Sequence, residues 1–470
     1  MVGGKLLRGI ISTILATVLL SGCGSVMTKH KFYGPITSDV QNNEYESAVK
    51  KIEIARGDNQ YERKDRLLYY LDSGFANHYA DNLDTSIVKL TLAEDAAEEL
   101  FTKSVSRAAA SLLLNDNILE YSGEDYEVLY TNLFNALNFL AKDNFDDAFV
   151  EIRRSNEKLD LLMLKYAKAV EEFQESPKDD TLNINSKVPY SVDRVRFNND
   201  AFARYLSMHM YAAEGRYDDA RIDYEQFVAA FDNQQHIYNF SRPNVKYKAD
   251  SGVVFSVVAL TGLSPIKEAV GLRIRTDKEL DLVQVLYTDG PNKNSEYGHI
   301  PFPVSEDYYF KFSLPVLVNQ TSRVSQVRVL ANGEVIGQLQ LVEDVSNVAR
   351  ETFKAKKSLI YFRSIARAIF KGLLAHEAKK KIDEKHDNLG GWLMKAAVDV
   401  GTDVIENADL RCTHLLPGKI YVGDFEIEPG VYDFTIEFYN SEGSLVKSQR
   451  YNGYEVGYSG WNMIEAFSLN

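Results

Sequence analysis

The stretch EDYEVLYTNLFNALNFLAKDNFDDAFVEIRRSNEKLDL, at residues 124–161, decides how the first half of this chain folds. Its apolar residues recur at three- and four-residue steps over residues 129–140 and resume at the same steps over residues 148–159. That period is typical of amphipathic helices, each with one apolar face. A polar break, Lys142-Asp143-Asn144, separates the two series. The stretch therefore predicts a helix hairpin with a tight turn.

The turn of this hairpin recurs, each time with a polar start followed by a bulky, an acidic, any and a small residue. The four copies lie at residues 43–48, 81–86, 143–148 and 215–220. This order resembles the tetratricopeptide (TPR) class of helical repeat, in which hairpins stack because one hairpin cannot bury its apolar face alone. The resemblance rests on Tyr211, Gly215, Tyr217 and Ala220 in the last copy and on Phe139, Phe145 and Ala148 in the middle one. It implies a TPR-like helical domain over residues 38–239.

The N-terminus has the pattern of a secretory signal. Lys5 and Arg8 precede an apolar run at residues 10–20, which is too short to cross a bilayer as a helix. The sequence that follows, Leu20-Ser21-Gly22-Cys23, resembles the lipobox of bacterial lipoproteins. The resemblance implies a signal peptide at residues 1–22, cleavage before Cys23 and acyl chains on Cys23, with residues 23–37 as the lipid-anchored tether between the membrane and the fold. An ordinary signal peptide with a chance Ser-Gly-Cys is the weaker alternative.

The residues after Cys23 bear on which membrane would hold the chain. Gly24, rather than Asp, follows the cysteine, and by analogy with enteric lipoproteins this favours the outer membrane. No acidic cluster of the kind that marks surface export follows, which favours the periplasmic face. The inner membrane and the cell surface stay open as alternatives.

Composition limits the classes of function. With 470 residues the chain is too long for a single core, so two or three domains are expected. The net charge of -14 argues against a nucleic acid partner, because phosphate contacts need a basic surface. Once Cys23 carries lipid, Cys412 is the only cysteine left, and we expect it to be a small buried apolar side chain.

Three asparagines at three-residue steps, Asn132, Asn135 and Asn138, lie on the first helix of the central hairpin. In stacked helical repeats the first helices line the concave face. Amides there can hydrogen-bond an extended peptide or a carboxylate, so these residues are candidates for a partner groove. The alternative is that they face water or cap a neighbouring element.

The second half changes period after a linker at residues 240–251. Alternating and β-branched stretches predict a first β region at residues 252–343 and a C-terminal β region at residues 408–470. Asn332-Gly333, between alternating residues, is a strong signal for a β-hairpin. The order Pro-Gly-x-Tyr-x-Phe-x-Ile at residues 429–436 resembles small envelope sandwich modules of the PEGA or immunoglobulin-like kind. The fold class predicted is therefore α + β, with a mainly antiparallel β-sandwich after the helical domain.

A helical insertion at residues 344–407 interrupts the strands. Arg363, Arg367 and Lys371 lie at four-residue steps beside an apolar stripe, which makes them candidates for contact with an anionic surface such as lipid headgroups. The alternative is a helix packed on the sheet with a solvated basic edge.

The lipobox, the repeated turns and short motifs such as Glu151-x-Arg153-Arg154 and Ala408-Asp409-x-Arg411 together resemble a family of uncharacterised bacterial envelope lipoproteins. The resemblance covers nearly the whole mature chain. It implies a TPR-like helical half and a β-sandwich-like half, and it supplies no activity and no catalytic residue.

The function predicted is a non-enzymatic adaptor that binds a protein partner of an envelope assembly. The eight histidines form no metal-ligand spacing, and no nucleophile elbow or phosphate-binding loop is present, so no metal or cofactor is expected. A peptidoglycan- or polysaccharide-binding protein is the alternative, with Tyr451, Tyr454, Tyr458 and Trp461 stacking on sugars. A glycan hydrolase is a lesser alternative, because a catalytic carboxylate pair would not stand out among so many carboxylates.

Overall fold

The computed structural model describes residues 32–106, 117, 119–175, 195–277, 279–280, 282–288, 296–301, 309–354, 356–357, 360 and 408–470. Within these ranges the chain is an α + β protein with a helical N-terminal half and a sheet-rich C-terminal half, which confirms the predicted class. No helix in this part of the chain combines the length and apolar character needed to cross a bilayer. The lipobox at residues 20–23 and the basic residues Arg363, Arg367 and Lys371 lie outside the described residues.

The helices come in hairpins that stack in chain order. They are α1 (Tyr33–Gln41), α2 (Tyr45–Gly57), α3 (Arg66–Tyr79), α4 (Leu83–Ser106), α5 (Asp125–Ala141), α6 (Phe145–Glu175), α7 (Ala201–Ala213) and α8 (Tyr217–Asn233). Each odd-numbered helix packs against the next even-numbered one, and α2 packs on α3, α4 on α5 and α6 on α7. The hairpin predicted from residues 124–161 is α5 and α6.

All four predicted turns have one backbone geometry. Asn43, Asp81, Asp143 and Gly215 have positive φ angles of 65°, 61°, 58° and 75°. The amide after each donates to the carbonyl five residues earlier, as from Asn144 to Phe139 at 2.9 Å, which closes the preceding helix in a Schellman motif. Asn, Asp and Gly tolerate this left-handed conformation, so the polar start of the sequence pattern has a physical cause.

The small residue at the end of each turn pattern is buried. Ala48, Ser86, Ala148 and Ala220 are each 0% exposed. Each lies near the start of an even-numbered helix, where that helix packs on its partner. The prediction of four helix hairpins with one kind of turn is confirmed.

The strands form three sheets of four strands each among the described residues. They are β1 (Val253–Leu263), β2 (Ile266–Asp277), β3 (Leu282–Tyr287), β4 (Glu296–Pro301), β5 (Tyr309–Val318), β6 (Gln326–Ala331), β7 (Glu334–Gln338), β8 (Gln340–Asp344), β9 (Pro417–Ile427), β10 (Gly430–Tyr439), β11 (Leu445–Val456) and β12 (Asn462–Ser468). Residues 345–354 form a further helix, α9. The inner sheet has the order β12-β1-β9-β8, the outer sheet β11-β10-β6-β7 and the side sheet β4-β3-β2-β5.

Strands from both sides of the insertion share the inner and outer sheets. In the inner sheet β1 pairs with β12 in parallel and with β9 in antiparallel orientation. In the outer sheet β10 pairs with β6 and β11. The hairpin between β6 and β7 turns at Asn332 and Gly333, whose φ angles of 50° and 86° confirm the predicted Asn-Gly turn.

The two faces of β1 lie in two different cores. Val258 and Leu260 belong to the core that contains the helices, whereas Phe255 and Val257 belong to a second core with the outer sheet. In that second core the rings of Phe255 and Phe434 stack at 4.0 Å. The layers are therefore the even-numbered helices, the odd-numbered helices, the inner sheet and the outer sheet. We call the odd-numbered helices α1 to α7 the inner helices and the even-numbered helices α2 to α8 the outer helices.

Candidate functional site

The inner helices are far more buried than the outer ones. Twelve of the 14 residues of α3 and 13 of the 17 residues of α5 are buried. In contrast, three of the 13 residues of α2 and five of the 17 residues of α8 are buried. The inner helices are enclosed because the inner sheet covers the side that the outer helices leave open.

An extended segment of the same chain, residues 408–416, also lies on the inner helices. We call it the docked segment. The Thr413 amide donates to Glu127 of α5 at 2.6 Å, and the Thr413 hydroxyl donates to Asp72 of α3 at 2.6 Å. The Tyr79 hydroxyl donates to the Leu415 carbonyl at 2.8 Å. The docked segment therefore occupies the face on which an extended partner peptide was expected.

Asp72 is the first polar centre of this face. It is 0% exposed and accepts hydrogen bonds from the Tyr33 and Tyr61 hydroxyls, at 2.6 and 2.9 Å, besides that from Thr413. Burial raises the pKa of Asp72 to about 7, although the three hydroxyl donors favour its charged form. One carboxyl group thus joins three parts of the chain that are distant in sequence.

Glu127 is the second polar centre. Its side chain accepts from the Tyr121 hydroxyl at 2.5 Å and from the Glu124 amide at 2.8 Å, as the third helical residue of a capping box at the start of α5. Burial and the neighbouring charge of Glu124 raise the pKa of Glu127 to about 7. Since it also accepts from Thr413, the first turn of α5 is fixed to the docked segment.

Two buried cations, Lys267 and Arg411, also bind the sheet half and the docked segment to the helical half. Lys267 Nζ of β2 lies 2.6 Å from Glu124, and both side chains are 2% exposed. Arg411 of the docked segment lies 2.9 Å from Asp65 and 2.7 Å from Asp409. These five residues form what we call the buried charge cluster. Its side chains are at most 14% exposed, and its ion pairs join the docked segment and β2 to the helical half.

Cys412 lies inside this region and is 0% exposed, as expected from the sequence. Its sulfur accepts a long hydrogen bond, 3.4 Å, from the Lys267 amide. Burial raises the pKa of the thiol, so the nucleophilic thiolate is disfavoured there.

The asparagine prediction needs correction, because Asn132, Asn135 and Asn138 are each 0% exposed and face no open groove. Asn132 donates to Glu94 and Glu151 at 3.0 and 2.6 Å, which ties α5 to both neighbouring outer helices. The Asn135 amide has no hydrogen-bond partner among the described residues. The three asparagines thus lie inside the fold, where Asn132 and Asn138 bind other elements of the chain.

Asn138 belongs to a chain of hydrogen bonds that reaches the last strand. The Ser86 hydroxyl donates to Gly74 at 2.9 Å, so it accepts from the Asn138 amide at 2.8 Å. The Asn138 oxygen then faces His78 Nδ1 at 2.8 Å, and His78 Nε2 lies 3.0 Å from Glu465 of β12. An acceptor thus faces each ring nitrogen, which favours the doubly protonated form of His78. Burial opposes that charge, but Glu465 outweighs it and raises the pKa of His78.

A serine, an aspartate and a histidine meet elsewhere, between α7 and the inner sheet. The hydroxyls of Ser256 and Tyr205 donate to the same oxygen of Asp424, at 2.7 and 2.8 Å. His209 Nε2 lies 3.2 Å from that oxygen, and its ring stacks on Trp461 at 4.9 Å. A serine nucleophile needs the histidine between serine and carboxylate, whereas here the carboxylate is central. Ser256, Tyr205 and Asp424 form a buried hydrogen-bond centre, and His209 Nε2 lies beside it without a hydrogen bond among the described residues.

Sequence reasoning missed Asp72, Glu127 and Arg411 as the residues that organise this face. A signal for them exists, because Asp72-Ser73 and Asn77-His78 interrupt an otherwise apolar helix. Polar residues within an apolar stripe indicate buried partners. The sequence does not show which residues these buried partners are. Among the described residues, no group of three or more His, Cys, Asp or Glu side chains could hold a metal ion.

Comparison with known proteins found no relative of this chain. No family model, no curated protein and no solved structure matches this chain.

Proposed function

We propose that the chain is a lipid-anchored periplasmic protein that acts as a non-enzymatic scaffold for a protein partner in the cell envelope. Lipid at Cys23, after the lipobox Leu20-Ser21-Gly22, would tether it to the outer membrane. The shared turn geometry of the four hairpins supports their assignment as divergent TPR-like repeats. The two sheets that share a core support assignment of the C-terminal half as a sandwich of the PEGA or immunoglobulin-like kind.

The observation that carries the proposal is where the helical half leaves apolar side chains in solvent. Every large hydrophobic residue exposed there, within the described part of the chain, lies on an outer helix. They are Ile54, Val88, Leu92, Leu161, Tyr217 and Ile222. We call them the outer-helix row. Because the inner helices are covered by the docked segment and the inner sheet, the outer-helix row is the surface left for a partner.

The first members of the row lie on helices that are joined by an ion pair. Lys89 Nζ of α4 lies 3.9 Å from Glu53 of α2, and Val88 and Ile54 are the residues next to them in sequence. Ile54 is 62% and Val88 57% exposed. A partner helix or loop laid across the outer helices would cover both, and burying them would stabilise the complex by about 2 kcal/mol per side chain.

We expect the double substitution Ile54→Asp and Val88→Asp to abolish binding of the partner while leaving the fold intact. The test is a photo-crosslinking amino acid at position 92, used in intact envelopes, with and without the two substitutions. The expected result is a discrete crosslinked product that the double variant loses. Cys23→Ser, which removes the proposed anchor, should move the protein out of the membrane fraction.

The matched control is Val431→Asp on β10, where the valine is 67% exposed in the sheet half. It should keep the crosslinked product. Equal loss with Val431→Asp, or an unchanged product with the double variant, would contradict the proposal for the outer-helix row.

The glycan-binding alternative is best tested at Tyr458, the most exposed of its four aromatic residues. Tyr458 is 86% exposed. The hydroxyls of Tyr451 and Tyr454 donate to the carbonyls of Glu465 and Met463 along the edge of β12, and Trp461 stacks on His209. Sedimentation with purified peptidoglycan separates the two functions, since pelleting that is lost with Tyr458→Ala would favour glycan binding over the scaffold.

A further inference from the structure

Two carboxyl groups meet where β8 joins the fourth helix hairpin. Glu343 lies on β8, and Asp200 is the N-cap of α7, accepting from the Ala203 amide at 2.7 Å. The Tyr238 hydroxyl donates to Glu343 at 2.9 Å and accepts from the Ala201 amide at 2.9 Å. Both carboxyl groups therefore lie at the first turn of α7, and each residue is 0% exposed.

Each carboxyl group has one oxygen that lacks a donor. Asp200 Oδ2 and Glu343 Oε1 are buried and have no hydrogen-bond partner among the described residues. The Tyr130 hydroxyl of α5, close enough to interact electrostatically with both, is also buried and without a partner. The backbone amide of Phe202 faces both carboxyl groups. One amide cannot satisfy two carboxylates, and a proton on one carboxyl group would supply a second donor.

The charged and titratable groups around the pair do not neutralise it. Tyr130 faces it from α5, Tyr238 from the loop after α8, and Asp344 from β8 itself. Arg204 faces Asp200 from α7, but its guanidinium pairs with Asp223 at 3.0 Å. No lysine or arginine in the described residues forms an ion pair with Glu343, and two adjacent buried carboxylates cannot both ionise without a large penalty.

We propose that Glu343 and Asp200 share one proton and act as a pH-sensitive latch that holds β8 and α9 on the fourth hairpin. The latch acts on α9, because α9 follows β8 directly and forms the described start of the insertion at residues 344–407. Three residues of α9 are 0% exposed in the core shared with the helices: Val345, Val348 and Ala349. The side-chain amide of Asn347 donates to the Ile237 carbonyl at 2.7 Å. This device is independent of the proposed scaffold function.

The direction of the pH response follows from the buried pair. Burial, and then the neighbouring carboxyl, raises the pKa of Glu343 well above its ordinary value, and burial raises the pKa of Asp200 to about 6. A carboxyl group whose pKa is raised by folding stabilises the fold at low pH, and that stabilisation is lost as the pH rises through the folded pKa. The stability of the latch should therefore fall as the pH rises above the ordinary carboxyl range, about 4, and should go on falling up to the raised pKa of Glu343.

Hydrogen exchange measured by mass spectrometry on the full chain tests the latch, after correction for the intrinsic pH dependence of exchange. Between about pH 5 and about pH 8, we expect residues 340–354 and the first turn of α7 to lose protection about tenfold or more. Glu343→Gln replaces the shared proton with a neutral amide donor, so it should remove this pH response. Glu334→Gln, at an exposed position on β7, should keep the wild-type response.

Asp200→Asn provides a second variant, because asparagine is an equally good N-cap and also removes one of the two charges. A second measurement is the infrared absorption of protonated carboxyl groups, which should lose one component in Glu343→Gln at about pH 6. The latch is refuted if the wild type keeps equal protection at both pH values, or if Glu343→Gln or Asp200→Asn retains the full response. Unchanged carboxyl absorption in Glu343→Gln would refute it equally.

Discussion

Replacement of Lys267 by methionine is expected to lower the free energy of unfolding by about 3–5 kcal/mol, the range for breaking a buried ion pair by removing one partner. Lys267 Nζ lies 2.6 Å from Glu124 with both side chains 2% exposed. Without it, Glu124 would remain buried near Glu127, with Lys356 at 3.0 Å as its remaining cation. Methionine has nearly the volume of lysine, so the loss reports the charge rather than a cavity.

Chemical denaturation of Lys267→Met, of Glu124→Gln and of the double variant measures this effect. The double variant should be more stable than Lys267→Met alone, because it removes the carboxylate left without its partner. Lys246→Met is the matched control, since Lys246 pairs with Glu426 at 2.6 Å in solvent, and it should give no measurable change. A loss under about 1 kcal/mol for Lys267→Met would show that the pair does not hold β2 to α5.

Replacement of Arg411 by leucine is the second change with a large expected effect, again about 3–5 kcal/mol of unfolding free energy. Arg411 pairs with Asp65 and Asp409, and it donates to the Leu119 carbonyl at 3.0 Å. Its guanidinium also lies 5.2 Å from the centre of the Tyr121 ring. Arg411→Lys should fall between leucine and wild type, because an ammonium keeps the charge but loses the planar fork.

The pH dependence gives Arg411→Leu a distinct signature. Burial alone would raise the pKa of Asp409, but the charge of Arg411 outweighs burial and holds it well below its ordinary value. A carboxyl group with a depressed folded pKa contributes stability above its unfolded pKa, and that contribution is lost as the pH falls. Wild type should therefore lose more stability than Arg411→Leu between about pH 5 and about pH 2. Equal acid dependence of the two proteins would contradict the assignment, and Arg221→Leu, at an exposed pair with Glu225, is the control.

Local geometry is what the sequence could predict. Each of the four helix turns needs a residue that tolerates positive φ and a small residue five positions later. Both requirements are visible in the sequence, at Asn43, Asp81, Asp143 and Gly215 and at the alanine or serine five residues after each. The β6–β7 hairpin follows from Asn332-Gly333 for the same reason. Such features depend on a few neighbouring residues, so composition and order determine them.

Contacts between distant parts of the chain could not be predicted from the sequence. Asn138 faces His78 and through it Glu465 of the last strand, and no local pattern separates that arrangement from an asparagine that faces a groove. The parallel pairing of β1 with β12 likewise joins the two ends of the C-terminal half. Polar residues at a helical step show which face of the helix makes polar contacts. Only the structure shows which element covers that face.

The inner helices are covered by the chain itself, which is why we propose that a partner meets the outer helices. Native-state hydrogen exchange at the docked segment, residues 408–416, tests this covering. The Thr413 amide, which donates to Glu127, should exchange as slowly as the amides of α5. Exchange there as fast as at the exposed turn of residues 441–443 would show that the inner face is open, and would contradict the proposal.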